Sequence, residues 1–354
     1  MTAHLRVLAP GLMTTVQDLG RPGWQHLGVP VSGALDPVSL RAANRLAGNA
    51  PGMGALEIAY HGPTLRVEAE SVRIAVAGGP APIEILPAEN GGSGWRLAMF
   101  ESARLRRGQV VRIGALTGSA VLYLAVEGGF AVAPVLGSQS TLTRAAIGGF
   151  EGRALRAGDA LPLRQQAAAE RDEVMMPAPN LRPPARVRVV LGPQDDHFTE
   201  AGLRALLAST YTVSRASDRM GMRLDGPPLE HSGKGNNIVS DGIATGAIQV
   251  PGNGLPIVLL ADRQTTGGYP KVATVISADV PVLGRMTPGS KVAFAAVGIE
   301  AAETAARQLA SDIEAMAARI APVRREPAVD AEKLLGENLI SGTVDAREGG
   351  SSGA

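Results

Sequence analysis

Short apolar segments rich in β-branched residues recur along the chain, and turns containing glycine or proline separate them. Examples are LRVLAPG from Leu5, SVRIAVAGG from Ser71 and AVLYLAVEGG from Ala120. This pattern is typical of the short strands of a β-sandwich or β-barrel. The composition agrees, because Gly (44) and Pro (25) are abundant and aromatic residues make up only 3%. The sequence therefore predicts a mainly β protein with a few helices.

Three segments carry helix signals instead. In PVSLRAANRLAG (37–48), Asp36 is a suitable N-cap, Pro37 suits the first helical position and Gly48 suits the C-cap. A short helix is predicted near FTEAGLRALLAS, with Thr199 as its cap. The alanine-rich segment 299–321 has helical periodicity and predicts a C-terminal helix.

The length of 354 residues favours two domains. The stretch QQAAAERDEVMMPAPNLRPPA mixes charge, alanine and proline without a strand period, which is typical of a linker. The predicted division is an N-terminal β domain (1–168), a linker (169–184), a second β domain (185–298), the C-terminal helix (299–321) and a partly disordered tail (322–354). Within the tail, KLLGENLISGTV is apolar enough to dock on the protein itself or on a partner.

Charge and cysteine content exclude several classes of function. The formal net charge is +1, and its 34 basic and 33 acidic side chains are dispersed, so neither nucleic acid nor a membrane is expected as a partner. The chain has no cysteine, which excludes thiol chemistry and Cys-ligated metals, and its five scattered histidines do not predict a metal site. Because neither a leader nor a long apolar run is visible, a cytoplasmic location is expected.

The segment DRQTTGGYPK (262–271) is the densest group of functional side chains. It lies between two apolar β-branched runs, so it is predicted to be a loop or strand end displayed by a rigid sheet. Gly267 and Gly268 would let a ligand approach the backbone closely. A polar hairpin without a ligand is the alternative. The candidate residues here are Asp262, Gln264, Thr265, Thr266, Gly267, Gly268, Tyr269 and Lys271.

A second polar segment, TTVQDLGRPGWQHLGVPVSGALD (14–36), precedes the capped helix. Long polar loops without periodicity are often binding loops. Its candidate donors and acceptors are Gln17, Asp18, Arg21, His26 and Ser32. Alternatively, Asp18 pairs with Arg21, and Ser32 caps a turn. His26 is either a catalytic base or, with no carboxylate fixed beside it by spacing, a hydrogen-bonded structural residue.

A third candidate cluster is SRASDRMGMRLDG (214–226), where Asp218 and Arg219 lie between two strand-like runs. The planar guanidinium of Arg219 suits a carboxylate or carbonyl acceptor. Arg215 and Arg223 are nearby alternatives for the same role. Phosphate-loop, HExxH, GxSxG and EF-hand patterns are missing from the sequence.

The segments above, together with ANRLAGN, SDRMGMRL, GAIQVPGNGLPIVLLADRQTTGGYPKVATV and TPGSKVAF, resemble one family from about Leu5 to Phe294. It is the KipA-like family, also called allophanate hydrolase subunit 2 or the biotin-dependent carboxyltransferase-related family. The resemblance implies two cyclophilin-like β-barrel domains. It also implies a KipI-like partner protein.

The resemblance also implies an enzymatic activity. The chain is expected to be the C subunit of an ATP-dependent 5-oxoprolinase, which opens 5-oxo-L-proline to L-glutamate together with a KipI-like B subunit and an A subunit. ATP would act in the assembled complex and need not bind this chain. The alternatives are a half of a urea-carboxylase-like carboxyltransferase, with biotin on a partner protein, and a non-catalytic regulator that binds a KipI-like inhibitor.

Roles for individual residues follow as hypotheses from this expected activity. Arg219 and Lys271 are assigned to anion stabilisation, and Asp18 or Asp262 to orientation or proton transfer. The side chains of segment 262–271 are assigned to hydrogen bonds with the substrate. Two segments depart from the pattern expected for the family: AVAGGP (75–80), where a Thr-Gly-Ala run is expected, and LGR (283–285), where a glutamine is expected.

Overall fold

The computed structural model describes residues 3–88 and 93–324. The predicted mainly β architecture is confirmed. The strands of the N-terminal half are β1 (His4–Ala9), β2 (Met13–Gln17), β3 (Ala55–Ala59), β4 (Thr64–Glu68), β5 (Ser71–Gly78), β6 (Ile83–Leu86), β7 (Trp95–Arg96), β8 (Ser102–Arg106), β9 (Val110–Ile113), β10 (Val121–Val126) and β11 (Ala160–Pro162). The later strands are β12 (Val174–Met175), β13 (Val187–Leu191), β14 (Thr210–Val213), β15 (Gly221–Asp225), β16 (Asp241–Gly242), β17 (Ala247–Gln249), β18 (Ile257–Leu259), β19 (Thr266–Gly267), β20 (Lys271–Val275), β21 (Lys291–Ala296) and β22 (Ala321–Pro322).

The N-terminal half is built from two packed sheets. One has the strand order β11-β1-β4-β9-β6-β7 and the other β2-β3-β10-β5-β8. Their facing apolar side chains, such as Leu5, Val111, Leu56 and Leu122, form one buried core. Strand β5 is buried on both faces. The reason is that a helix covers its outer side, where the small side chain of Ala75 allows close packing.

That covering helix is α1 (Pro37–Ala47), and both of its predicted caps are confirmed. The carboxylate of Asp36 accepts hydrogen bonds from the backbone N–H of Val38 (3.1 Å) and of Ser39 (3.2 Å). Gly48 closes the helix with a φ of 83°, a left-handed conformation that glycine adopts without strain.

The C-terminal half is a closed barrel with the strand order β13-β20-β17-β18-β15-β14-β21. The barrel closes through a parallel pairing of β13 with β21, and its interior is filled by side chains such as Val189, Ile248, Val258 and Phe294. Helix α2 (Glu200–Ala208) packs against the barrel, and its predicted cap Thr199 accepts from Gly202 N (3.1 Å).

Two further helices complete the described chain. Helix α3 (Val280–Arg285), which the sequence patterns did not predict, brings Gly284 against the N-terminal half, where a Cβ atom would lie 2.3 Å from Leu35 O. Helix α4 (Ile299–Ala315) continues as a 3₁₀ turn over Met316–Arg319, as the C-terminal periodicity predicted.

The chain up to Pro322 forms one compact unit, so the division into two domains with a linker stays a prediction. Part of the predicted linker is fixed to the N-terminal sheets, because the buried Arg73 guanidinium bonds to Glu173 (3.0 Å) and to two backbone carbonyls in 169–171. The predicted tail falls almost entirely outside the described residues, and so does its apolar segment 333–344.

Candidate active site

A buried ion network joins the two halves at Arg219. Its guanidinium pairs with Asp262, where Nε donates at 2.7 Å, with Glu57, and with Gly33 O at 2.6 Å. Burial disfavours the cation, but the charges of Glu57 and Asp262 outweigh burial, so the pKa of the Arg219 guanidinium is raised. Most of its donors are therefore used within the chain.

Glu57 extends this network into the N-terminal sheet. It accepts a hydrogen bond from the phenol of Tyr123 at 2.5 Å and another from Leu35 N at 2.8 Å. Burial and the negative charge of Glu57 raise the pKa of Tyr123 well above its ordinary value, so this phenol stays protonated. Both carboxylate oxygens of Glu57 thus have partners.

Asp18 holds a neighbouring loop in place. Its carboxylate accepts from Ser138 Oγ (2.5 Å), Gln139 N (2.6 Å) and Ser140 Oγ. The amide of Gln17 donates to the same loop, at Thr141 O (3.0 Å). Arg21 donates to the carbonyl of Ser140, not to Asp18, and burial lowers the pKa of its guanidinium.

The 14–36 segment also reaches the barrel. Gln25, which was not among the predicted site residues, donates to Ile243 O (2.8 Å) and Thr265 O (3.3 Å). Ser32 is buried with a φ of 55°, and its hydroxyl has no hydrogen-bond partner among the described residues. His26 is exposed on a 3₁₀ turn (Gln25–Leu27) and forms no ion pair with a carboxylate in the described part of the chain.

Of the two glycines in the DRQTTGGYPK segment, Gly267 is the one that close packing requires. Strand β19, which contains Thr266 and Gly267, pairs with β16 as a short ribbon. A Cβ atom on Gly267 would lie 2.5 Å from the Gln249 amide nitrogen. Gly268 O accepts from Ile238 N at 2.8 Å. Gly267 therefore lets the ribbon lie close to the barrel surface.

Lys271 lies apart from the Arg219 network. Its side chain is only 3% exposed, and its Nζ atom donates to the exposed carboxylate of Asp241 at 2.9 Å. The hydrogen bond from Lys271 lowers the pKa of Asp241. Lys271 therefore ties the ribbon to the barrel wall.

A polar cleft of about 420 Å³ opens on the outer face of the barrel. It is lined by Arg144, Ala216, Asp218, Met220, Gly221, Arg223, Gln249, Ile257, Leu259, Gln264 and Tyr269. The guanidinium groups of Arg144 and Arg223 are exposed and make no ion pair or hydrogen bond within residues 3–88 and 93–324. The amide of Gln264 donates to Gln249 Oε1 at 2.9 Å, which orients both carboxamides.

Three of the predicted residues, Asp218, Gln264 and Tyr269, line this cleft, and the other predicted residues do not. The cleft also contains Gln249 and Arg144, which the sequence patterns did not indicate. Gln249 lies in an apolar strand and Arg144 in a short turn without a motif, so neither has a local signal.

A second cavity, here called the junction cavity, lies between the halves and measures about 370 Å³. Arg219, Glu57 and Tyr60 contribute to its lining, with apolar residues around them. Asp218 lines both this cavity and the polar cleft. The segment carrying Asp218 and Arg219 therefore separates the two spaces.

The two segments that depart from the family pattern meet in a third cavity. Gly78, Gly79 and Pro80, which end the AVAGGP segment, line it together with Arg285. The backbone of each segment also contacts the chain at residues 120–121, because Gly79 N donates to Val121 O at 3.0 Å and Ala120 N donates to Arg285 O at 2.8 Å. The two departures therefore lie close together in the structure.

Comparison with known proteins defines the class. A family model described as carboxyltransferase domain, subdomain A and B, matches residues 27–296. The chain therefore belongs to the carboxyltransferase domain A and B family. It is 36% identical over 319 residues to the C subunit of 5-oxoprolinase from Escherichia coli K12, covering 89% of this chain and 98% of that protein.

Solved structures give the same relationship. The chain is similar to TTHA0988, with a TM-score of 0.73 and 36% identity over 83% of this chain and 56% of that one. It is similar to the urea amidolyase of K. lactis, with a TM-score of 0.79 and 29% identity over 92% of this chain and 21% of that one. The chain thus spans about half of the TTHA0988 chain and about a fifth of the K. lactis urea amidolyase chain.

Among the helices of residues 3–88 and 93–324, none has the length and the apolar character of a membrane-spanning segment.

Proposed function

We propose that this chain is the C subunit of an ATP-dependent 5-oxoprolinase that opens 5-oxo-L-proline to L-glutamate. A KipI-like B subunit and an A subunit would complete the enzyme, and ATP would act in the assembled complex. The observation that carries the proposal is the similarity to the C subunit of the E. coli 5-oxoprolinase, which extends over 98% of that protein.

The chemistry of the polar cleft supports this proposal. The substrate 5-oxo-L-proline carries one carboxylate and one lactam amide. The unpaired guanidinium groups of Arg144 and Arg223 suit the carboxylate, since their planar donors match its two oxygens. The carboxamides of Gln249 and Gln264 suit the amide. Opening a lactam requires donors aimed at an oxygen that gains negative charge, and the phenol of Tyr269 is such a donor.

The ion pairs around the cleft are proposed to position it. Arg219 and Asp262 fix the backbone that presents Asp218, and Asp262 N also donates to Arg219 O at 2.9 Å. Lys271 fixes the ribbon containing Thr266. This role replaces direct anion stabilisation by Arg219 and Lys271, because each cation already has a carboxylate partner.

Asp18 is proposed to position the cleft from the N-terminal side. Through Ser138, Gln139 and Ser140 it orders the loop that continues to Arg144. Its carboxylate accepts several hydrogen bonds there, which supports orientation as its role.

The test is glutamate release from 5-oxoproline by purified A, B and C subunits with ATP. The double variant Arg144→Ala/Arg223→Ala should lower kcat/KM by at least about tenfold, because each charge-assisted hydrogen bond contributes about 1.5–3 kcal/mol. Arg204→Ala is the control, since Arg204 is exposed on α2 and, among residues 3–88 and 93–324, pairs with Glu200 alone. An unchanged kcat/KM in the double variant would reject the assignment of the cleft.

The similarity to K. lactis urea amidolyase favours one alternative, a carboxyltransferase half that receives carboxybiotin from a partner protein. Transfer of a carboxyl group from a biotinylated carrier, without activity on 5-oxoproline, would support it. Tight binding of a KipI-like protein with neither activity would instead indicate a regulator.

A further inference from the structure

The cavity where Gly79 and Arg285 meet has a volume of about 600 Å³, which lies in the range of small-molecule sites. Here it is called the Arg285 cavity. The linker (Ala178 to Pro183), the end of α3 and the start of β21 form its other walls. It shares no lining residue with the polar cleft.

The charged side chains that line this cavity are all cationic. They are Arg182, Arg285 and Lys291, and no acidic residue lines the cavity. Asp36 pairs with Arg285 from outside the lining at 2.9 Å, so the uncompensated charge comes from Arg182 and Lys291. The Lys291 ammonium donates to Thr212 Oγ1 (2.7 Å), and no described residue accepts a hydrogen bond from the Arg182 guanidinium. The cavity thus presents positive charge with free donors.

Arg285 is held in the cavity wall by contacts with other residues. The residue is 8% exposed, and its Nη2 atom donates to Leu181 O at 3.1 Å. Its buried Nε atom has no hydrogen-bond partner among the described residues. This atom has almost no accessible surface, so Arg285 contributes charge to the wall, whereas the donors exposed to a ligand are those of Arg182 and Lys291.

The remaining lining is largely apolar. Pro80, Phe100, Leu181, Val282 and Met286 contribute to it. Burying an apolar ligand body against these walls favours binding, because it removes apolar surface from water. A fully hydrated inorganic anion would obtain no such binding free energy. We infer that the Arg285 cavity binds a small organic carboxylate with an apolar body, at a site separate from the polar cleft.

Isothermal titration of the full-length chain with benzoate tests this inference. Benzyl alcohol is the neutral counterpart, and inorganic phosphate is the anion without an apolar body. The variant Arg182→Ala/Lys291→Ala should bind benzoate at least tenfold more weakly than wild type. Both side chains are exposed, so the fold should be retained. The control variant Arg204→Ala/Arg307→Ala has the same charge change on two helix surfaces and should bind as wild type does.

Three outcomes would overturn the inference. One is the absence of benzoate binding by wild type at benzoate concentrations up to about 10 mM, because a specific site would have a dissociation constant below that value. Another is phosphate or benzyl alcohol binding as tightly as benzoate. The third is loss of benzoate binding in Arg144→Ala/Arg223→Ala with none lost in the Arg182/Lys291 variant, which would move the site to the polar cleft. Because the assay uses this chain alone, its result is independent of 5-oxoprolinase activity.

Discussion

Replacing Arg219 by methionine should destabilise the protein strongly, because it leaves two carboxylates buried without their cation. The side chains of Glu57 and Asp262 are only 4% and 5% exposed. Removing one partner of a buried ion pair costs about 3–5 kcal/mol. The lost hydrogen bond from the charged guanidinium to Gly33 O adds about 1.5–3 kcal/mol, so Arg219→Met should cost about 4.5–8 kcal/mol in all.

Urea denaturation at pH 7, followed by circular dichroism, measures this change in the free energy of unfolding. Arg204→Met is the matched control. That arginine is 70% exposed and pairs with Glu200 on the surface of α2, so its replacement should cost less than about 0.5 kcal/mol.

A double variant separates the loss of the ion pair from a general loss of packing. In Glu57→Gln/Arg219→Met, one of the two unpaired charges is removed. This double variant should therefore be more stable than Arg219→Met alone. A cost below about 1 kcal/mol for Arg219→Met, or a double variant less stable than the single one, would refute the reasoning.

Two other predictions concern packing and pH. Gly284→Ala should destabilise by about 1–3 kcal/mol in urea denaturation, because the new Cβ would lie 2.3 Å from Leu35 O, whereas Gly233→Ala has open space and should be close to neutral. The hydrogen bond from Arg66 is the largest contribution that lowers the pKa of Glu68 to about 2. A carboxyl whose folded pKa is lowered stabilises above its unfolded pKa, so this contribution, about 1 kcal/mol or less, should disappear as the pH falls from about 4.5 to about 2. Thermal unfolding of Glu68→Gln over that range should show a weaker loss of stability than wild type.

Local patterns in the sequence predicted much of the secondary structure. Alternating or continuous apolar runs indicated most of the longer strands, and cap residues located α1 and α2, because strand periodicity and capping depend on neighbours a few residues away. Helix α3 was missed, since six residues that include Pro281 and Gly284 carry no helical period. The ribbons formed by two-residue strands were also missed, because two residues are too few to show the alternating period of a strand.

Contacts between distant segments could not be predicted in this way. The sequence alone predicted roles for Arg219, Asp262 and Asp18, but it could not show that Arg219 binds Glu57, which is 162 positions away. Nor could it place Arg144 beside Gln249 in one cleft. Such pairs depend on the order of strands and on the docking of the barrel against the N-terminal sheets. The sequence by itself therefore determined the β-rich class, the helix caps and the family. Only the tertiary structure decided which charges are paired and which remain free for a ligand, because pairing depends on distances between side chains that local patterns do not encode.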